Sequence, residues 1–224
     1  HFQDEWLRDL QPDVWVPQAF KGQPFNVFET GGTTGMPKQR IGWTDYKVDY
    51  SEFSEKISDD HFPRDHYWLM MGPTGPRRLR LAIEHLANVR GCSCYFIDLD
   101  PRFVKKLIAD KKFDVARSYM DHVIDQAVTI LKHRKVSGVF TTPKLLEALS
   151  EKIDLWEAGI RGVFCGGTTM DPQYTRFLLE EVLENRIGFY PTYGNTLMGL
   201  AASVPVTKED NFSITYYAPQ PRAV

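Results

Sequence analysis

No apolar run in this 224-residue chain approaches the roughly twenty residues that a membrane-spanning helix needs, so the sequence offers nothing to cross a bilayer. Cysteine is scarce. Cys92, Cys94 and Cys165 are three in all, an odd count without a paired framework, which reads as reduced core thiols rather than disulfides. Neither sign of charge is in surplus: 27 Lys and Arg against 29 Asp and Glu give a net charge of −2, with no basic surplus to suggest a nucleic-acid partner. His1-Phe2-Gln3-Asp4 shows no signal-peptide pattern, and a start at His rather than Met reads as a trimmed chain or a fragment. The expectation is a cytoplasmic enzyme body that meets neither membrane nor nucleic acid, its oligomeric state left open. One more absence matters. No Gly-Lys-Ser/Thr occurs anywhere, so a Walker-type phosphate loop is excluded.

Hydrophobic residues make up 42% of the chain, enough for a sizeable core. Its most informative stretch is Val27-Phe28-Glu29-Thr30-Gly31-Gly32-Thr33-Thr34-Gly35-Met36-Pro37-Lys38. Three glycines let backbone amides converge on an anion at close range. Thr30, Thr33 and Thr34 add hydroxyl donors, Lys38 a mobile cation, and Pro37 stiffens the exit. A strand over 24–29 precedes the loop and a second strand, 39–43, follows it. A helix capped by Thr44 then runs through Tyr46, Val48, Tyr50 and Phe53. The loop therefore spans a hairpin, not a strand-to-helix junction.

A Gly/Thr-rich loop between two strands that ends in Pro-Lys resembles the phosphate loop of the adenylate-forming (AMP-dependent synthetase and ligase) superfamily. Two later segments carry the same resemblance. Arg161-Gly162-Val163-Phe164-Cys165-Gly166-Gly167-Thr168-Thr169-Met170 is similar to the family's strand and Gly-Gly turn, and Tyr190-Pro191-Thr192-Tyr193-Gly194-Asn195-Thr196 to its Tyr-Gly-x-Thr motif. The likeness covers about residues 25–199 and is nearest to the phenylacetate-CoA ligase-like branch, which includes aryl-adenylating proteins of phenazine antibiotic pathways. It implies ATP-dependent activation of a carboxylic, aromatic acid as acyl-adenylate, then transfer to CoA or a carrier-protein thiol. Thr30, Gly31, Gly32, Thr33, Thr34, Gly35 and Lys38 would hold phosphates. Gly166, Gly167 and Thr168 would line the adenine site. Tyr193 would stack on the base, with Gly194 and Asn195 beside it, and Thr196 would face the α-phosphate and the substrate carboxylate. Lys38 and Thr196 would be the catalytic pair.

One position departs from that pattern. Leu197 stands where the family usually places a glutamate that helps hold Mg2+, and a leucine cannot ligate a hard cation. Either another oxygen or water holds the ion, or the chain acts as a non-adenylating transferase on preformed acyl-adenylate; a catalytically silent nucleotide-binding module is a further alternative. The family's Thr-Gly-Asp segment and lysine-bearing C-terminal domain are also missing. Residues 1–224 therefore read as the central part of an AMP-binding N-terminal domain.

Between the motifs, helix-like and strand-like periods alternate as in a layered α/β protein, a sheet with flanking helices. Helices are expected over 77–90, from Pro101 with Asp100 as cap, over about 115–133, over 144–153 and from Asp171-Pro172. Strands are expected at 93–97 and 139–142, and the tail 212–217 reads as another. Leu79, Leu81, Ile83, Leu86 and Val89, then Phe103, Val104, Leu107 and Ile108, are assigned to the core. Asp59-Asp60-His61-Phe62-Pro63-Arg64-Asp65-His66 holds metal-ligand types, but its spacing fits no template and it reads as a solvated loop. Tyr67, Trp68 and Met71 suit either an acyl pocket or ordinary packing. Gly75-Pro76-Arg77-Arg78 suits an anion site or a plain helix start. Asp114 and Asp121 to Asp125 form a wet helix face.

Overall fold

In the computed structural model, residues 5–30, 36–44, 46–75, 78–195 and 199–217 are described. A single helical turn α1 (Trp6–Asp9) and two 3-10 turns lead into the antiparallel hairpin β1 (Asn26–Glu29) and β2 (Gln39–Gly42), followed by α2 (Tyr46–Ser54). Then come β3 (Tyr67–Gly72), α3 (Leu79–Val89), β4 (Ser93–Asp98), α4 (Pro101–Ala109), α5 (Phe113–His133), β5 (Val136–Thr141), α6 (Pro143–Ser150) and β6 (Gly162–Gly166). The chain ends with α7 (Pro172–Phe177), extended by a π turn over Leu178–Val182, then β7 (Gly188–Asn195) and β8 (Gly199–Ala202).

The main sheet runs β4-β3-β5-β6-β7-β8, parallel throughout except that β8 returns antiparallel to β7. Because side chains alternate along a strand, β3 sends Trp68 and Met70 to one face and Leu69 and Met71 to the other. The first face meets Tyr50 and Phe53 of α2 and Ile83 and Leu86 of α3. The second meets Val123 and Ala127 of α5 and Leu145 and Leu149 of α6. This is the layered α/β architecture expected of the sequence.

Two side chains lie flat on the first face near the start of the strands. Gly138, Gly162 and Gly188 stand opposite one another on β5, β6 and β7. A Cβ on Gly162 would lie 2.6 Å from the Phe62 ring, one on Gly138 would lie 3.0 Å from it, and one on Gly188 would strike His61. Phe62 in turn stacks on Phe164 at 4.1 Å between ring centres. Just below, buried Arg90 donates to the Ser54 and Phe62 carbonyls at 3.0 and 2.7 Å and to the Asp59 carboxylate. Asp59 also takes Arg64, and His61 Nδ1 meets the Tyr190 hydroxyl at 2.9 Å. The acidic and histidine-rich segment is the expected loop, with Asp59, Asp60, Arg64, Asp65 and His66 exposed, and it is anchored by buried Phe62 and by Arg90. Among the described residues no cluster of His, Cys, Asp and Glu could hold a metal ion.

Several sequence expectations need correction. The third helix starts at Leu79, not 77, and ends at Val89, where Gly91 just beyond takes a φ of +73° that only glycine adopts freely. Its buried side is Ala82, Ile83, Leu86 and Ala87, with Val89 exposed. On α4 only Leu107 is buried, while Phe103 and Ile108 flank it in solvent. The tail makes no strand: Asn211 and Phe212 turn through the left-handed region, and the tail's pairing is an isolated bridge between Tyr216 and Ser203. Trp68 and Met71 are plain core, whereas Tyr67 is exposed. Pro76 and Arg77 lie outside the described residues. Cys92, Cys94 and Cys165 are free thiols, and burial pushes that of Cys94 up to about 12. Among the described residues no helix is long and apolar enough to cross a membrane.

Candidate functional site

Strand carboxyl ends in a parallel sheet open toward the loops that follow them, and the described parts of the three motifs lie along that rim, at β4, β6 and β7. The first is held by its neck. The Thr30 N–H donates to the Lys38 carbonyl at 3.0 Å, and the Lys38 N–H donates back to Thr30 Oγ1 at 3.1 Å. These two bonds close the hairpin around the loop. Gly31, Gly32, Thr33, Thr34 and Gly35 lie outside the described residues. Lys38, expected as a mobile cation, is half-buried, with its backbone fixed to Thr30.

The neck is tied to the sheet one residue earlier. Arg102 Nη1 donates to Glu29 Oε2 at 3.0 Å. Arg102 sits in the first turn of α4, which follows β4, and Asp100 caps that turn by accepting the Arg102 N–H at 2.9 Å. The expected cap at Asp100 and Pro101 is therefore observed, with an additional role for its neighbour.

The second motif ends β6. Gly166 pairs directly with Thr192 on β7, so close that a Cβ there would meet Thr192 Oγ1 and lie 2.9 Å from the Thr192 carbonyl. Gly167 then turns at φ +90°, against the methyl of Thr142. Thr168 follows, exposed. The Thr-Pro corner opening α6 and the Gly-Gly turn leading toward α7 are braced together by one polar cluster. Lys144 Nζ meets Glu147 Oε2 at 2.7 Å, and the Tyr174 hydroxyl donates to the same oxygen at 3.0 Å. The lysine holds the Glu147 carboxyl below its usual range, while partial burial raises the Tyr174 hydroxyl.

The third motif continues β7. Thr192 packs beneath the Gly-Gly turn, Tyr193 is 56% exposed, and Gly194 stands at the rim opposite Leu200 of β8. Tyr193 lies within the strand. Tyr216 comes to Tyr193 from the tail, with ring centres 5.8 Å apart and planes tilted by 52°. Its bridge to Ser203 is flanked by Val204 N–H to Thr215 O at 2.8 Å and Tyr217 N–H to Ala202 O at 2.9 Å. Burial raises the Tyr216 hydroxyl, with Cys165 and Tyr193 adding to the shift. Asn195 belongs to β7 by its backbone. Thr196 and Leu197 lie outside the described residues, so the expected catalytic threonine has no geometry here.

The Gly-Gly turn and the tyrosine strand are direct neighbours. The hairpin neck reaches the same rim at β4, separated from β6 by β3 and β5, about 14 Å at the usual strand spacing. Glu29, Arg102, Thr192 and Tyr216 were not among the expected site residues. Glu29 lay inside the loop motif, but nothing local marks its partner 73 residues away. Tyr216 was visible only as an aromatic in a tail.

No protein-family model matches the chain, nor does any curated protein. Solved structures do. ATP-bound MatB from Rhodopseudomonas palustris is 15% identical with a TM-score of 0.51 over 80% of this chain and 30% of its own. A 2-hydroxyisobutyryl-CoA ligase in complex with 2-HIB-AMP and CoA, in its thioesterification state, is 15% identical with a TM-score of 0.54 over 89% of this chain and 38% of its own. The chain shares the fold of the parts of these structures that it covers. It spans about a third of the length of these structures.

Proposed function

We propose that the chain is the central part of the N-terminal domain of an enzyme that activates a carboxylic acid with ATP and passes the acyl group to CoA or another thiol. The acid is aromatic, following the likeness to the phenylacetate-CoA ligase-like branch. The carboxylate attacks the α-phosphorus and pyrophosphate leaves; the thiol then attacks the acyl carbon and AMP leaves. Attack of one anion on another is slow unless donors and cations spread the developing charge. Loop amides, Thr30, Thr33, Thr34 and Lys38 would supply them at the β- and γ-phosphates, and Thr196 at the reacting phosphorus. Gly166, Gly167 and Thr168 would take the adenine, Tyr193 stacking on it beside Gly194 and Asn195.

The observation that carries this reading is the direct pairing of Gly166 with Thr192, which sets the Gly-Gly turn beside exposed Tyr193. The fold shared with an ATP-bound and an acyl-AMP-bound protein supports it. Bound ATP brings magnesium, whose charge would be shared by phosphate oxygens and water rather than by the side chain at Leu197. That leucine favours a second reading, in which preformed acyl-adenylate is the substrate and only the thiol step is catalysed.

Pyrophosphate release with ATP and a panel of aromatic acids tests the first reading, and acyl-adenylate with CoA tests the second. Release without CoA supports adenylation. No release but CoA-dependent consumption of acyl-adenylate moves the function to the second reading, and neither activity leaves a silent binding module.

A further inference from the structure

The loop between Thr30 and Lys38 carries an electrostatic contradiction, if it holds phosphates. Glu29 places a carboxylate one residue from Thr30, where it would repel a triphosphate. The structure answers that charge with Arg102, at 3.0 Å, from a segment otherwise distant in sequence. The support is rigid. Asp100 caps the first turn of α4 and holds Arg102 at both its N–H, 2.9 Å, and its side chain, 3.7 Å. Tyr119 of α5 accepts the Asp100 N–H at 3.1 Å, the Leu99 N–H reaches the Gly72 carbonyl at 3.1 Å, and Thr74 N–H reaches Asp98 Oδ1 at 2.9 Å. The corner after β4 is thus braced from β3 and from α5, and the guanidinium projects from it to the hairpin.

We infer that Arg102 is a positioning residue for the loop, clasping Glu29 so that its carboxylate is neutralised and no longer opposes an incoming anion. It rests on the nucleotide reading above. The pair is partly buried, with 38% of the Arg102 and 27% of the Glu29 side chain exposed, so solvent screens it only in part. Arg102 itself need not touch the ligand. Its effect is on affinity: ATP binding weakens while turnover of bound ATP stays level.

The test is ATP titration by calorimetry of the wild type, Arg102→Gln, Arg102→Lys and Glu29→Gln/Arg102→Gln, with melting temperatures beside it. Losing one charge-assisted contact of this exposure should weaken ATP binding of Arg102→Gln about three- to tenfold. Arg102→Lys should retain most of the affinity. The double variant should recover much of the loss, since the carboxylate that repels the anion has gone with its partner. A merely structural arginine would lower the melting temperature of both variants alike and show no recovery. A wild type that takes no ATP sinks the proposed function and this inference together. A wild type that binds, with Arg102→Gln binding equally well or the double variant no better than the single, sinks the inference alone.

Discussion

Replacing Gly166 by alanine probes both the packing and the site, because the added methyl has one place to go. It would meet Thr192 Oγ1 and stand 2.9 Å from the Thr192 carbonyl, across the β6–β7 pair. The hydroxyl can rotate away, but the carbonyl belongs to a strand paired on both sides, so the strands must part. Overpacking a well-filled site costs about 1–3 kcal/mol. At about 2–4 °C per kcal/mol for a chain of this size, Gly166→Ala should melt about 4–8 °C lower for a cost of about 2 kcal/mol. The same separation moves Tyr193 away from the Gly-Gly turn, so ATP affinity should fall as well. Gly75→Ala is the control, since a Cβ there meets nothing within 4 Å. Circular dichroism melts and ATP titration read the two effects. A Gly166→Ala chain that melts and binds as the wild type would refute the account of this junction.

Lys38→Ala should keep its melting temperature, since the neck bonds come from backbone and Thr30, yet lose ATP-dependent pyrophosphate release; unchanged release would count against the phosphate loop. Arg90→Leu strands the Ser54 and Phe62 carbonyls in the core. At about 1–3 kcal/mol per unsatisfied group the cost is about 3 kcal/mol, a fall of about 6–12 °C in melting temperature, and an equal melt would show that the arginine is dispensable. Asp59 is held below the usual carboxylate range by its bond from Arg90 and then by that from Arg64. A carboxyl lowered by folding stabilises while ionised, fully above its unfolded value of about 3.9, and loses that contribution as pH falls through the folded value. Asp59→Asn should therefore melt below the wild type at neutral pH, with the gap closing in acid. A gap independent of pH down to 2 would disprove it.

Local chemistry was what the sequence conveyed well. Asp100-Pro101 and Asp171-Pro172 open helices through a cap and a pre-set φ, both of which act within four residues. The hairpin and the Gly-Gly turn were legible for the same reason, since glycine marks where backbone must bend or approach closely. Burial was less legible. Phe103 and Ile108 look like core residues by type, but α4 packs against α5 and buries only Leu107, and that face is decided by a neighbouring helix rather than by the local sequence. The motif around Tyr193 does not by itself show that the pairing of β7 with β8, through partners four to ten residues apart, keeps it extended. The anchor around Arg90 was hidden altogether, because a charged segment rich in Asp and His gives no sign that one buried guanidinium organises it.

The row of three glycines beneath Phe62 and His61 has a consequence for how the chain finds its alignment. Sliding β6 by one residue would put Arg161 or Val163 under the ring, sliding β5 would put Ser137 or Val139 there, and sliding β7 would put Ile187 or Phe189 under the imidazole. A one-residue slip also reverses the faces of a strand. Only one setting of all three strands leaves a smooth floor on which the aromatic segment can settle and Arg90 can close. The glycines thus act as a gauge: the parallel strands are matched against one another at the end remote from the Gly166-Gly167 turn, and that offset carries through to the opposite rim.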